Sequence, residues 1–141
     1  RYKQILLGLI LFVLLGGFLQ ITGKFHFFYI EQLQLFVFED YLADKISSPG
    51  GLSLIIGEFL TQFFITPYAG PFIIAAILTS IGLTMREIIL QINPNKELFL
   101  LYLLPGFYSL LLIQYDFNYL VQGTIAFLFC LISLNAWMRI K

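Results

Sequence analysis

A chain of 141 residues suits one small domain, yet 60% of its residues are hydrophobic and only 11% are charged. Soluble domains carry roughly 45–50% apolar and about 25% charged residues, so a compact water-soluble fold lacks the interior volume for these side chains. The eight basic and eight acidic residues cancel, no Lys/Arg cluster is present, and nucleic-acid binding is excluded.

A transmembrane helix needs about 20 mostly apolar residues, within a range of roughly 17–25. Residues 4–22 meet that length without a single charge. Arg1 and Lys3 give this segment a basic start, as in a signal peptide. The apolar run is long for one, however, and no A-x-A cleavage site follows. Residues 23–70 then form a long connection, running through Glu39-Asp40-Tyr41 and Asp44-Lys45 to a turn at Ser47-Ser48-Pro49-Gly50-Gly51. A second apolar stretch, residues 52–66, would make a helix of about 22 Å, short of the roughly 30 Å hydrocarbon core. Glu58, Thr61 and Gln62 share one face of it by their spacing of three and four. The stretch is expected to lie in the interface or dip partway in, with its polar stripe towards protein or water.

Three more spans follow, at residues 71–90, 98–115 and 119–138. Pro71 fits the first turn of its helix, where the missing N–H costs nothing. Asn93-Pro94-Asn95 is a turn. Asn95 and Asn118 are candidate caps for the third and fourth spans. Pro105-Gly106 lies inside the third and predicts a kink. Gly8, Gly16, Gly17 and Gly82 would allow close helix packing. The predicted fold is an all-α polytopic membrane helical bundle in one domain, residues 1–141. It has about four spans plus interfacial or re-entrant helices in the first outer loop. The chain opens on Arg1 instead of Met, which fits a piece of a longer protein.

With the N-terminus inside, Arg1, Lys3, Arg86, Lys96, Arg139 and Lys141 fall on the cytoplasmic side, and only Lys24 and Lys45 outside. This bias follows the positive-inside rule and puts both termini in the cytoplasm. A fifth crossing at residues 52–66 would weaken it.

The outer face then gathers the chemistry. Phe25, Phe27, Phe28, Tyr29, Phe36, Phe38 and Tyr41 read first as interfacial anchors, and second as a wall for a lipid tail or sugar ring. Glu31, Glu39, Asp40 and Asp116 are candidate general bases, since a carboxylate held near apolar surface has its pKa raised. Several of them meeting would suit a divalent cation, which prefers oxygen ligands. The plain alternative for Glu39, Asp40 and Asp44 is a solvated face. His26, Gln32, Glu58, Thr61 and Gln62 are candidates for lining a substrate site or cavity. His26, the only histidine, more simply satisfies a local hydrogen bond. Lys24 and Lys45 would meet a lipid phosphate or anchor at the headgroups. Cys130 stands alone, which rules out an internal disulfide. No phosphate-binding Gly-rich loop, nucleophile elbow or H-E-x-x-H motif occurs.

The strings Phe25-His26-Phe27-Phe28-Tyr29-Ile30-Glu31-Gln32, Ser48-Pro49-Gly50-Gly51-Leu52 and Gly57-Glu58-Phe59-Leu60-Thr61-Gln62-Phe63 resemble an uncharacterised bacterial family of multi-pass membrane proteins. That resemblance covers nearly the whole chain and implies a bacterial inner-membrane location, but no activity. The layout also resembles the GT-C membrane glycosyltransferases: a cytoplasmic N-terminus, one span, then a long outer loop with an early acidic residue. By that likeness Glu31, or the Glu39-Asp40 pair, would deprotonate an acceptor, Asp116 would assist or bind metal, and the partner would be a polyprenyl-linked sugar. The alternative is a non-enzymatic membrane subunit or transporter segment, with Glu58, Thr61 and Gln62 packing on other membrane helices or lining a path.

Overall fold

A computed structural model of the chain describes residues 2–23, 39–94, 99–115 and 120–140, and every regular element among them is helical. We label them α1 (Tyr2–Thr22), α2 (Glu39–Ser47), α3 (Gly51–Thr61), α4 (Ala69–Ile92), α5 (Phe99–Tyr115) and α6 (Val121–Ile140). A 3₁₀ turn, Gln62–Ile65, prolongs α3. The four expected spans and the shorter fifth stretch each correspond to one helical segment.

Proline sets several of the ends. The residue before a proline is pushed out of the helical region by a clash with the ring. Thr66, before Pro67, is extended at φ −85° and ψ 129° and stops the 3₁₀ turn. Asn93, before Pro94, leaves the helical region at φ −140° and ψ 87° and stops α4. Pro71 falls in the first turn of α4, where it removes no helical hydrogen bond. Pro105 lies inside α5, and the Ser109 hydroxyl donates to its carbonyl at 3.0 Å. Asn95 and Asn118, the candidate caps, lie outside the described residues.

Helix α4 is the hub. Half of its span is buried, against 28% for α6 and 17% for α1. Ile74, Ala75, Leu78 and Ile81 of α4 form the core with Leu19 of α1, Leu110 and Ile113 of α5, and Val121 and Ile125 of α6. Small residues set the approach of the helices, because a glycine lets a neighbouring side chain or backbone come close. On α1, Gly8 faces Leu83 and Gly16 faces the Phe72 ring, so α1 runs antiparallel to α4. On α5, Gly106 faces the Leu78 carbonyl, and Gly82 of α4 faces that of Tyr102. Gly17 has nothing near it, which corrects its expected packing role: it is one residue, about 100° of helix, away from the contact face of α1.

Near the C-terminal ends of α4 and α6, Arg139 donates to Glu87 at 3.0 Å and Gln91 to Asn135 at 2.5 Å. At the opposite end the Gln114 amide reaches the Thr22 hydroxyl at 3.5 Å. Direction therefore alternates along α1, α4, α5 and α6, and Tyr2 and Ile140 lie at the same end of the bundle.

The segments Ile5–Thr22, Ala69–Ile92 and Val121–Ile140 are long and apolar enough to cross a membrane. Helix α5 is apolar but has 17 residues, about 25 Å of helix and the lower end of the spanning range. On α1, Ile5, Leu6, Leu9, Ile10, Val13 and Leu14 are all exposed. Such a surface would be stable in lipid and unfavourable in water.

Candidate functional site

Two glycines build the site. After α2 the chain turns back at Ser48-Pro49-Gly50, with Gly50 in the left-handed region at φ 77°. Gly51 then starts α3 so close to α2 that an added Cβ would lie 1.9 Å from the Lys45 carbonyl oxygen. The same oxygen accepts hydrogen bonds from the Ser48 amide at 3.2 Å and its hydroxyl at 2.7 Å. Ser53 donates to the Gly50 carbonyl at 2.7 Å. The result is a tight helical hairpin whose two arms face each other from their first turns.

That closeness joins three side chains. Glu58, in the middle of α3, is 1% exposed. One carboxylate oxygen accepts from the Lys45 ammonium and the other from the Tyr41 hydroxyl, both at 2.7 Å. Tyr41 and Lys45 are four residues apart on α2, hence on one face. The ammonium also lies 5.2 Å from the centre of the Tyr41 ring, within cation–π range. Burial and the neighbouring Glu58 carboxylate push the Tyr41 phenol above its ordinary pKa. The hydrogen bond to Glu58 raises that of Lys45, overcoming the downward pull of burial. Both groups therefore hold their protons more tightly than in an unfolded chain, and the cluster is a bonded ion pair with a neutral phenol.

The other face of α3 meets α6. A Cβ on Gly57 would lie 2.4 Å from Gln122 Cγ and 3.1 Å from its Cα, so the two helices nearly touch. Thr61 is fully buried and donates to the Gly57 carbonyl at 2.8 Å. Gln122 is 5% exposed, and its side-chain oxygen has no hydrogen-bond partner among the described residues. A buried amide oxygen left unpaired is costly, so this end of the α3–α6 contact is a polar place in an apolar fold.

Of the sequence candidates, Glu58 and Thr61 are buried together in the hairpin and Gln62 is half-buried beside them. The polar stripe thus faces protein. Lys45, read as a cation for lipid phosphate, has its ammonium on Glu58. Asp40 and Asp44 are exposed on α2. Glu39 begins α2, and its side chain lies outside the described residues. Lys24, His26, Glu31, Gln32 and Asp116 also lie outside them, as do Phe25, Phe27, Phe28, Tyr29, Phe36 and Phe38 of the outer loop. Among the described residues no three His, Cys, Asp or Glu side chains come together as a metal site. Sequence reasoning missed Gln122 and the bonding role of Tyr41. The signal for Tyr41 was its spacing of four from Lys45; a lone glutamine in an apolar span was the signal for Gln122.

The chain matches a family of unknown function (DUF6057) over residues 1–141 and belongs to it. No curated protein and no solved structure matches the chain.

Proposed function

We propose that the chain is a non-enzymatic membrane module, a subunit or a transporter segment, in a bacterial inner membrane. In this reading α1, α4, α5 and α6 all cross the bilayer, both termini are cytoplasmic, and the α2–α3 hairpin braces the outer end. The carrying observation is that both oxygens of the buried Glu58 are taken by Lys45 and Tyr41. Such an acid locks two helices together and does not stand ready as a base. The alternating helix directions and the surplus of Lys and Arg at the terminal end support the four-span topology. Single cysteines at positions 45 and 96 should be labelled from opposite sides of sealed vesicles. Labelling of both from one side would overturn the topology.

A glycosyltransferase-like enzyme is the second reading. It is favoured by the contact of Gln114 with Thr22, because the connections carrying Asp116 and Glu31 leave the bundle beside each other there. In that reading Glu31, Glu39 or Asp40 is the base, with Asp116 assisting or holding a divalent cation, and the partner is a polyprenyl-linked sugar. Glu31→Ala and Asp116→Ala should then abolish the physiological function at normal membrane levels. Retained function in both variants would sink this second reading and leave the first standing.

A further inference from the structure

Helix α5 turns one face to α4, through Leu110 and Ile113 in the core and the close approach at Gly106. Its opposite face is uncovered: Leu101, Leu104, Tyr108, Leu111 and Tyr115 are all exposed. We infer that a second copy of the chain packs on this face, α5 against α5, with the two Tyr108 hydroxyls bonded to each other.

The spacing suits a helix as partner. The five residues recur at alternating intervals of three and four, the seam along which two parallel helices interdigitate. The phenol calls for a partner with a polar group. Tyr108 is 64% exposed, and its hydroxyl meets no acceptor among the described residues. It lies seven residues before the end of α5 at Tyr115, about 10 Å along the axis. A helix of 17 residues, about 25 Å, is no longer than the hydrocarbon, so on the membrane reading Tyr108 is surrounded by acyl chains. Lipid tails offer no acceptor, and an unpaired polar group among them is costly. A serine or threonine escapes by bonding its own helix, as Ser109 does with the Pro105 carbonyl four residues before it. The hydroxyl of a tyrosine stands at the far end of a ring and has no such recourse.

Symmetry names the partner. Copies inserted under one charge rule share one orientation. A two-fold axis relating them then runs along the bilayer normal and brings each residue level with its own counterpart. A phenol both donates and accepts, so Tyr108 of one copy and Tyr108 of the other satisfy each other. A lipid chain on this face would leave both unbonded.

The inference rests on the membrane reading. In a Cys130→Ser background, Leu104→Cys, Tyr108→Cys, Leu111→Cys and Leu134→Cys are oxidised one at a time in native membranes. The first three lie on the seam and should give disulfide-linked dimers. Leu134→Cys, exposed on α6, should not. No dimers from the seam, or equal yields at all four positions, would overturn the inference. Cross-linking of the seam to a different protein would overturn it too, giving the face to another partner. Tyr108→Phe removes the hydroxyl and keeps the ring. It should weaken self-association, read as energy transfer between labelled copies in vesicles, by about threefold to thirtyfold, the range for one interhelical hydrogen bond in a membrane. Unchanged association would overturn the phenol pair. Release of the protein from membranes by alkaline carbonate would overturn the membrane reading itself, whereas retention without seam dimers would overturn this inference alone.

Discussion

The hairpin and the first helix solve the same problem in opposite ways. Helix α1 has 21 residues, no acidic or basic contact among its described side chains, and an apolar surface on nearly every side. The hairpin has 9 residues in α2 and 11 in α3, too few to cross the hydrocarbon. Among the described residues it is fixed by the Lys45–Glu58 ion pair, the Tyr41 hydrogen bond to Glu58, the serine hydrogen bonds of its turn and the close approaches at Gly51 and Gly57. On the membrane reading proposed above, the bilayer holds a long apolar helix in place, so its packing tolerates change. A short one has no such support and depends on particular atoms.

This contrast is sharpest at Gly51. A methyl group there would overlap the Lys45 carbonyl at 1.9 Å, and backbone cannot yield as a side chain does. Gly51→Ala should therefore dismantle the hairpin, seen as loss of monodisperse protein in detergent. Wild-type-like behaviour would refute the tight turn.

Lys45→Met should be next in size, because it leaves Glu58 buried with its charge unpaired, at a cost of about 3–5 kcal/mol. Adding Glu58→Leu removes that charge and should recover most of the loss. A double-mutant cycle measured by unfolding in mixed micelles would expose this, and strictly additive losses would argue against the pair.

Alkaline pH should act more gently. Lys45 and Tyr41 both hold their protons more tightly when folded. The stability they add is complete below their unfolded pKa values, near 10, and declines as pH rises through the folded values. The melting temperature should fall above about pH 10 in the wild type and fall less in a Tyr41→Phe, Lys45→Met, Glu58→Leu protein.

The smallest effects belong to α1. Gly16→Ala must displace the Phe72 ring, 2.7 Å from the new Cβ. Its neighbour Gly17 meets nothing, so Gly17→Ala should be neutral or add up to about 1 kcal/mol through helix propensity. Equal melting shifts for the two variants would put the α1–α4 contact on another face.

The long helices and the short apolar stretch were legible because length, apolarity and proline are local properties. Residues 4–22 and 71–90 needed two residues at most to become Tyr2–Thr22 and Ala69–Ile92. The site was legible only in part. The stripe of Glu58, Thr61 and Gln62 follows from helical spacing, but its bonding does not. Lys45 and Tyr41 reach Glu58 because Gly51 lets two backbones touch, and nothing in the pattern of charges reports that distance. Lys45 on its own was indistinguishable from a headgroup anchor. Gln122 stayed hidden for a related reason: its importance lies in Gly57, on another helix, leaving no room between them.

The hub position of α4 also has a consequence in time. Helix α1 leaves the ribosome before its main partner exists, and residues 23–68 must follow before α4 begins. At about 5–20 residues per second this takes roughly 2–9 s, far longer than a helix needs to form. On the membrane reading proposed above, α1 spends that interval in the bilayer without α4, and the apolar side chains it exposes are stable there. The contact between α1 and α4 can close only when α4 arrives and offers Leu83 and Phe72 to Gly8 and Gly16, so the synthesis of α4 sets its pace.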